Sequence, residues 1–430
     1  MSAETHMNVE LDESMSRTYT KVAERRPKNT LKAYTNKQKE FMQWCDEKEA
    51  AFNALTRYTV TGPKLHLFLE ERVIDRDKRR KGPEGRTQTV GIATVKGYVA
   101  AMVDLWRQQQ RMKINNHPSP RDDAVVMLLK VTEYEEDDRR RKNFDDRGTD
   151  TMLDGYTTTE QIENIAVFFW GNSREPGTSF RNLHAFLLSH YALMCGESTR
   201  RMELADLHSI VLENEGYSAC RVLVMIMRQG KTNQVGRLEV GECMRNKLVQ
   251  ICPHGLLDFY LFWRWHVEGE PFPDFTRSEN WYPIKLLKTG KDPTKEMSYK
   301  VHHDAIAAAL QHIGLRGRAK THVGRGSGAR MADLGGASEA QIRRLGRWNN
   351  QAMEKCYLTS LPREAMRTLA GFEPSRELET WKQQMDAGTC EQSIAGGGFL
   401  QLLQYLRVVI LQDAVILQQS TPTHPPLNTT

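Results

Sequence analysis

THVGRGSGARMADLGGASEAQIRRLGRWNNQAMEKCYL, residues 321–358, decides how this chain is read. Ser338 with Gln341 three positions on makes a capping box, which starts a helix over EAQIRRLG that stops at Gly346. Before it, His322 and Arg325 share one face if their stretch is helical, but Gly324, Gly326 and Gly328 oppose a helix there. Trp348 stands nine residues before Tyr357, and each alone reads as an ordinary core aromatic. The segment therefore belongs to a mainly helical domain that concentrates polar and aromatic side chains in one short run.

Working outward, residues 399–418 (FLQLLQYLRVVILQDAVILQ) place Phe399, Leu402, Leu403, Leu406, Val409, Ile410, Ile416 and Leu417 at helical spacing. Arg407, Asp413 and several Gln within it argue for an amphipathic or buried helix and against a membrane span. Two packings suit it equally, onto its own domain or into a second copy of the chain. Upstream, CRVLVMIM and RLEV flank a Gly-Lys-Thr-Asn turn, the pattern of a hairpin or small sheet. Gly230-Lys231-Thr232 is not a Walker A loop, because Met225 stands where that loop needs its first Gly. Thr157 and Glu160 form a capping box that opens the domain, and HGLLDFYLFWRWHVEG is a further helix.

The N-terminal part is all helical. One helix opens near residue 28 with Leu31, Tyr34, Phe41, Met42 and Cys45 largely on one face, and GPKLHLFLEERV is a second. A third carries Val95, Tyr98, Val99, Met102, Val103 and Trp106 at i, i+3, i+4, i+7, i+8 and i+11. The divisions expected are a disordered N-terminus over 1–26, a helical domain over 27–142, a linker over 143–156, the larger domain over 157–372, a helical extension over 373–418 and a disordered tail over 419–430. No internal repeat is visible.

The 430 residues suit two or three domains, and 60 Lys+Arg against 54 Asp+Glu give a net charge of +6, a mild excess that permits a polyanionic partner. Cys45, Cys195, Cys220, Cys243, Cys252, Cys356 and Cys390 are odd in number and never form Cys-x-x-Cys, so neither a disulfide framework nor a zinc site is expected. The polar, acidic start and the lack of a long uncharged apolar run predict a soluble, intracellular protein with no membrane partner. Two basic blocks, Lys78, Arg79, Arg80 and Lys81 in a Gly/Pro turn and Arg139, Arg140, Arg141 and Lys142 at a helix end, read as solvated charge or as phosphate contacts.

Taken in chain order, Arg200, Lys231, His322, Arg325, Trp348 and Tyr357 resemble the Arg, Lys, His-x-x-Arg, His/Trp, Tyr series of the tyrosine recombinases. TRRMELADL is similar to that family's Gly-Leu-Arg-x-x-Glu-Leu box, with Arg200 as its arginine because Glu203 lies three further on. GKTNQVGR is similar to the hairpin box around Lys231, THVGR gives the His-x-x-Arg, and LGRW stands where most members have Leu-Gly-His. From residue 29 to 418 the chain looks most like the branch of fungal Crypton elements and of the DNA-binding domain of budding-yeast centromere-binding kinetochore proteins.

The resemblance implies a helical core-binding domain and a mainly α catalytic domain with a small sheet. It also implies double-stranded DNA as partner, several copies assembled on DNA, a nuclear location, and strand exchange through a 3′-phosphotyrosyl intermediate with no metal, ATP or other cofactor. Tyr357 is then the nucleophile, although a phenol of pKa ~10 needs activation at neutral pH. Arg200 and Arg325 would clamp the non-bridging oxygens, which planar, permanently charged guanidinium groups do well. Lys231 would protonate the departing 5′ oxygen, and His322 would take the phenol proton or bond a phosphate oxygen. Trp348 would pack and donate an N–H, and Glu203 would support Arg200. A second reading, a DNA binder of the same fold without catalysis, and a third, a type IB topoisomerase, share these features.

Overall fold

The computed structural model describes residues 3–24, 28–78, 89–143, 155–171, 174–212, 220–227, 239–315, 320–348, 363–371 and 394–420. The chain divides into two compact units, Met1–Asp146 and Arg147–Thr430. The fold class read from the sequence, mainly α with a small β component, is the one observed.

The first unit contains α1 (Ala3–Glu24), α2 (Lys28–Glu47), α3 (Gly62–Arg72), α4 (Ile92–Arg111) and α5 (Asp123–Lys142). Its core is aromatic: Phe41 and Trp44 of α2 meet Phe68 of α3 with ring centroids 5.3 and 5.6 Å apart, and Tyr98 of α4 lies 6.0 Å from Phe68. Polar side chains close its edges. Asn115 Nδ2 donates to Val60 O and to Gln109 Oε1, both at 2.9 Å, and Val60 N donates back to Gln109 Oε1 at 3.0 Å. The buried connection is thereby satisfied from within.

Residues 1–26, read as disordered, are instead helical over Ala3–Glu24. Composition suggested disorder, but Met7, Leu11, Met15 and Tyr19 recur every four residues, Glu13 and Arg17 pair one turn apart at 3.7 Å, and no Gly or Pro intervenes before Pro27.

The second unit is built around α7 (Pro176–Tyr191), buried along nearly its whole length, with α6 (Thr159–Trp170) before it and α8 (Gly196–Arg201) after. Next come β1 (Leu207–Leu212), β2 (Cys220–Met227) and β3 (Glu239–Met244), an antiparallel sheet in that order with Leu207 opposite Met225 and Met227 opposite Glu239. Then follow α9 (Pro253–Phe262), α10 (Ser278–Trp281), the hairpin of β4 (Lys288–Thr289) and β5 (Asp292–Glu296), α11 (Tyr299–His312), α12 (Val323–Leu334), α13 (Glu339–Gly346), α14 (Arg363–Leu369) and α15 (Ile394–Ser420).

Several polar residues of α7 have partners outside the helix, whereas the Ser179 hydroxyl and both His184 nitrogens are buried without one among the described residues. Arg181 Nη1 donates to Lys288 O at 3.1 Å, Ser189 Oγ to Met194 O at 3.1 Å, and His190 Nδ1 shares a 2.9 Å bond with Tyr156 Oη. A buried salt bridge ties the β-hairpin: Arg264 donates to Glu270 at 2.5 and 3.0 Å, and Lys288 Nζ lies 2.8 Å from Glu270.

Two local readings are corrected. The capping box opening α6 is Thr158 with Gln161: Gln161 N donates to Thr158 Oγ1 at 3.3 Å, and Gln161 Oε1 accepts from Thr157 N and Thr158 N. Ser338 takes the N-cap position of α13 without a side-chain capping bond, since Gln341 Oε1 is buried without a partner. α15 packs on α9 and β1 of its own chain, burying Leu402, Leu406, Val409 and Leu417 while Ile416 is exposed. Among the described residues no helix is long and apolar enough to cross a membrane.

Candidate phosphate-binding site

The glycines that argued against a helix at 322–328 permit it to pack. Gly324 and Gly328, four apart on one face of α12, lie directly on the end of α7, where a Cβ on Gly324 would stand 2.9 Å from Ser189 Oγ and one on Gly328 would collide with the carbonyl of His190. Each glycine costs about 1 kcal/mol of helix propensity relative to Ala. The close approach places His322 at the N-cap, exposed, and Arg325 half-buried on the third helical residue.

α8 brings the second arginine close to the start of α12. Arg200 and Arg201 are the last two residues of this six-residue helix and diverge there. Arg200 turns inward, with Nη1 3.3 Å from His302 Nδ1 and its guanidinium 5.3 Å from the Tyr299 ring. Arg201 turns outward to Glu197 at 3.0 Å and Glu296 at 3.9 Å. Gly196 makes the approach possible, since a Cβ there would stand 2.9 Å from Thr321 Cβ and 3.1 Å from Arg200 Nη1. Thr321 immediately precedes His322, so α8 and the start of α12 touch.

Burial lowers the pKa of both Arg200 and Arg325, and the Cys195 thiol at the N-cap of α8 lies within electrostatic reach of each. An arginine stays charged regardless, so these are two fixed positive charges with little water between them and a ligand. Arg325 Nη2 donates to Gly346 O, its guanidinium stands 4.9 Å from the Trp348 ring, and its Nε is buried without a partner. Trp348 thus flanks Arg325. Arg347, by contrast, is consumed by carbonyls: Nη1 donates to Val240 O and Leu345 O at 3.2 and 2.9 Å, and Nη2 to Ala192 O and Leu193 O at 3.2 and 2.9 Å. It holds its backbone in the left-handed region, φ 57°.

His302 is the site residue that sequence reasoning missed. Burial first, then the positive charge of Arg200 and the nearby His322, lower its pKa to about 4, so it is neutral at physiological pH. Its Nδ1 then accepts from Arg200, which has only donors to offer. The sequence signal was slight, one of two adjacent histidines near the start of α11.

Glu203 sits apart from this cluster, accepting from Lys285 Nζ at 2.6 Å and lining a cleft with Ser198, Arg201, Asp206, Met227 and Lys285. In the first unit, Arg139, Arg140 and Arg141 face acids: Asp75 at 3.9 Å, Glu136 at 2.7 Å and Asp137 at 3.0 Å. Lys78 and Lys142 are exposed. Lys231, Tyr357, Arg79, Arg80 and Lys81 lie outside the described residues. Of the expected set, the structure sets Arg200 near the start of α12, which carries His322, and Arg325 beside Trp348, with Arg200 and His322 coming from segments more than a hundred residues apart.

Residues 109–387 match the family model of the centromere DNA-binding protein complex CBF3 subunit, domain 2. The sequence matches none of the curated proteins compared with it. Among solved structures, it is similar to the XerH site-specific recombinase bound to a palindromic difH substrate, at 13% identity and a TM-score of 0.46 over 74% of this chain and 73% of that one. It is also similar to the FLP recombinase in a Holliday junction complex, at 15% identity and a TM-score of 0.39 over 73% and 78%. Ndc10 of budding yeast, described as a platform for inner kinetochore assembly, is similar at 12% identity and a TM-score of 0.40 over 97% and 89%.

Proposed function

Because the chain belongs to the family of the centromere DNA-binding protein complex CBF3 subunit, domain 2, we propose that it binds double-stranded DNA in the nucleus and cuts and rejoins it as a site-specific recombinase. The observation that supports the reading is the meeting of α8 with the start of α12, where Gly196 lies against Thr321, with neutral His302 behind Arg200 and His322 close enough to act on it. Two guanidinium forks and an exposed imidazole are what a phosphodiester asks of a site that must stabilise charge on its non-bridging oxygens.

In this mechanism the Tyr357 oxygen attacks phosphorus, the phosphorus–5′ oxygen bond breaks, and Lys231 supplies the proton that the 5′ oxygen carries away. His322 receives the phenol proton or bonds a phosphate oxygen. Trp348 stacks beside Arg325 and cannot carry a proton. One phosphate ester replaces another, so the later attack of a 5′ hydroxyl reverses the step without ATP. Use by a Crypton-like mobile element, in integration or excision, fits this reversibility, as does assembly of several copies on two DNA sites.

A second reading, sequence-specific DNA binding without cleavage, is favoured by the family's description as a DNA-binding subunit. One experiment separates the two. A duplex selected from a random pool and nicked beside the cleavage position would accumulate a covalent complex with the native chain and none with Tyr357→Phe. Retention of that duplex with no covalent product from the native chain would establish the second reading.

A further inference from the structure

Met7, Leu11, Met15, Tyr19 and Val22 follow one another along α1 at steps of four, four, four and three residues, which keeps them in one strip of a helix with 3.6 residues per turn. All five are exposed, from 40% for Tyr19 to 55% for Met7. The Arg111 guanidinium at the end of α4 lies 4.9 Å from the Tyr19 ring and leaves the rest of the strip open. A lone surface helix with a continuous apolar strip is marginal in water until another helix covers it.

The charges of α1 say which helix. Glu10 and Lys21, both exposed, are eleven residues apart, three turns, and so lie along the same edge of the strip with opposite sign. We propose that α1 pairs antiparallel with α1 of a second copy of this chain, about a twofold axis at Met15. That axis sets Met15 against its own counterpart, Leu11 of one copy against Tyr19 of the other, and Met7 against Val22. It also brings Glu10 of each copy level, within one residue, with Lys21 of the other, so both ends of the strip carry an ion pair. The contact is isologous and closes as a dimer. In a parallel pair Glu10 and Lys21 would stand about 16 Å apart along the axis, at 1.5 Å per residue, and the edge would gain nothing.

Sedimentation equilibrium of the full chain without DNA, at low salt and over a wide concentration range, tests the pairing. The native chain is expected to self-associate, and Met15→Lys, which opposes two ammonium groups on the axis, to weaken the dimer at least tenfold with thermal unfolding unchanged. Glu10→Lys and Lys21→Glu should each weaken it severalfold, whereas Glu10→Lys combined with Lys21→Glu should return it to within about twofold of native. A native chain that stays monomeric, a Met15→Lys dimer as tight as native, or a charge swap no tighter than its single variants overturns the proposal.

Discussion

Arg200 and His302 face each other across 3.3 Å, the arginine at the end of a six-residue helix and the histidine 102 positions later on the helix that backs the site. The histidine offers the acceptor that fixes one edge of the guanidinium fork, leaving the other edge for a ligand. His302 is a positioning residue, and its value depends on being neutral.

Replacing His302 by Leu should reduce covalent complex formation on the nicked duplex by about 10- to 100-fold through misplacement of Arg200. His302→Gln, which keeps an acceptor, should retain activity within a few-fold. Equal losses in the two variants, measured as single-turnover rates, would show that only packing matters there.

Arg200 and its neighbour should behave oppositely. Arg200→Ala removes an inward donor, with an expected loss of about 100- to 1,000-fold in cleavage rate. Arg201→Ala breaks exposed ion pairs with Glu197 and Glu296, and its cleavage rate should change by less than about twofold. A larger effect from Arg201 would reverse the assignment.

Gly328→Ala places a methyl on the His190 carbonyl and should destabilise the second unit by about 1–3 kcal/mol. Gly326→Ala, two residues earlier on the open side of the same helix, meets nothing within 4 Å and should stabilise by up to about 1 kcal/mol. Chemical denaturation of both variants reads the contrast directly.

Glu270→Gln leaves Arg264, fully buried, without its carboxylate and Lys288 with only the more distant Glu268. Such a break costs about 3–5 kcal/mol, because the remaining charges keep their desolvation penalty. The midpoint in urea should fall accordingly.

Stability should peak near neutral pH. Burial lowers the pKa of His184, His190 and His254 to about 3 and of His302 to about 4, from an ordinary 6.5. Below that value the unfolded chain takes up protons that the native chain refuses, so stability falls as pH falls, by up to about 1.4 kcal/mol per group per pH unit. Burial raises the pKa of Asp258 to about 8, Glu242 to about 7 and Asp413 to about 6. There the native chain keeps protons that the unfolded chain has lost, so stability falls as pH rises toward those values. Denaturation midpoints at about pH 4.5, 6.5 and 8.5 should be highest at the middle value, and a monotonic trend would contradict the balance.

Much of the fold was legible because the helices obey their periodicity. The spacing in α4 named Val95, Tyr98, Val99 and Met102, and all four are buried. What escaped the sequence depends on contacts between distant segments. Propensity spoke against α12, yet its glycines let it lie on α7, and that contact outweighs their cost. α7 looks too polar for a core, but Tyr156, Lys288 and Met194 meet three of its polar side chains from outside the helix. At the site, the order of Arg200, His322, Arg325 and Trp348 was visible, whereas the inward turn of Arg200 and the part of His302 required coordinates.

Arg347 stands between the site's Leu-Gly and its Trp, yet all four of its guanidinium contacts are carbonyl oxygens of the chain itself. Counting cations along a motif therefore overstates the hydrogen-bond donors that an incoming anion meets. In a relative where Arg347 becomes a small residue, the lost positive charge would matter less than the loosened join between β3, the end of α7 and the end of α13. A search for relatives keyed to charge would discard such a chain, while one keyed to who binds those four oxygens would ask what replaced the clamp.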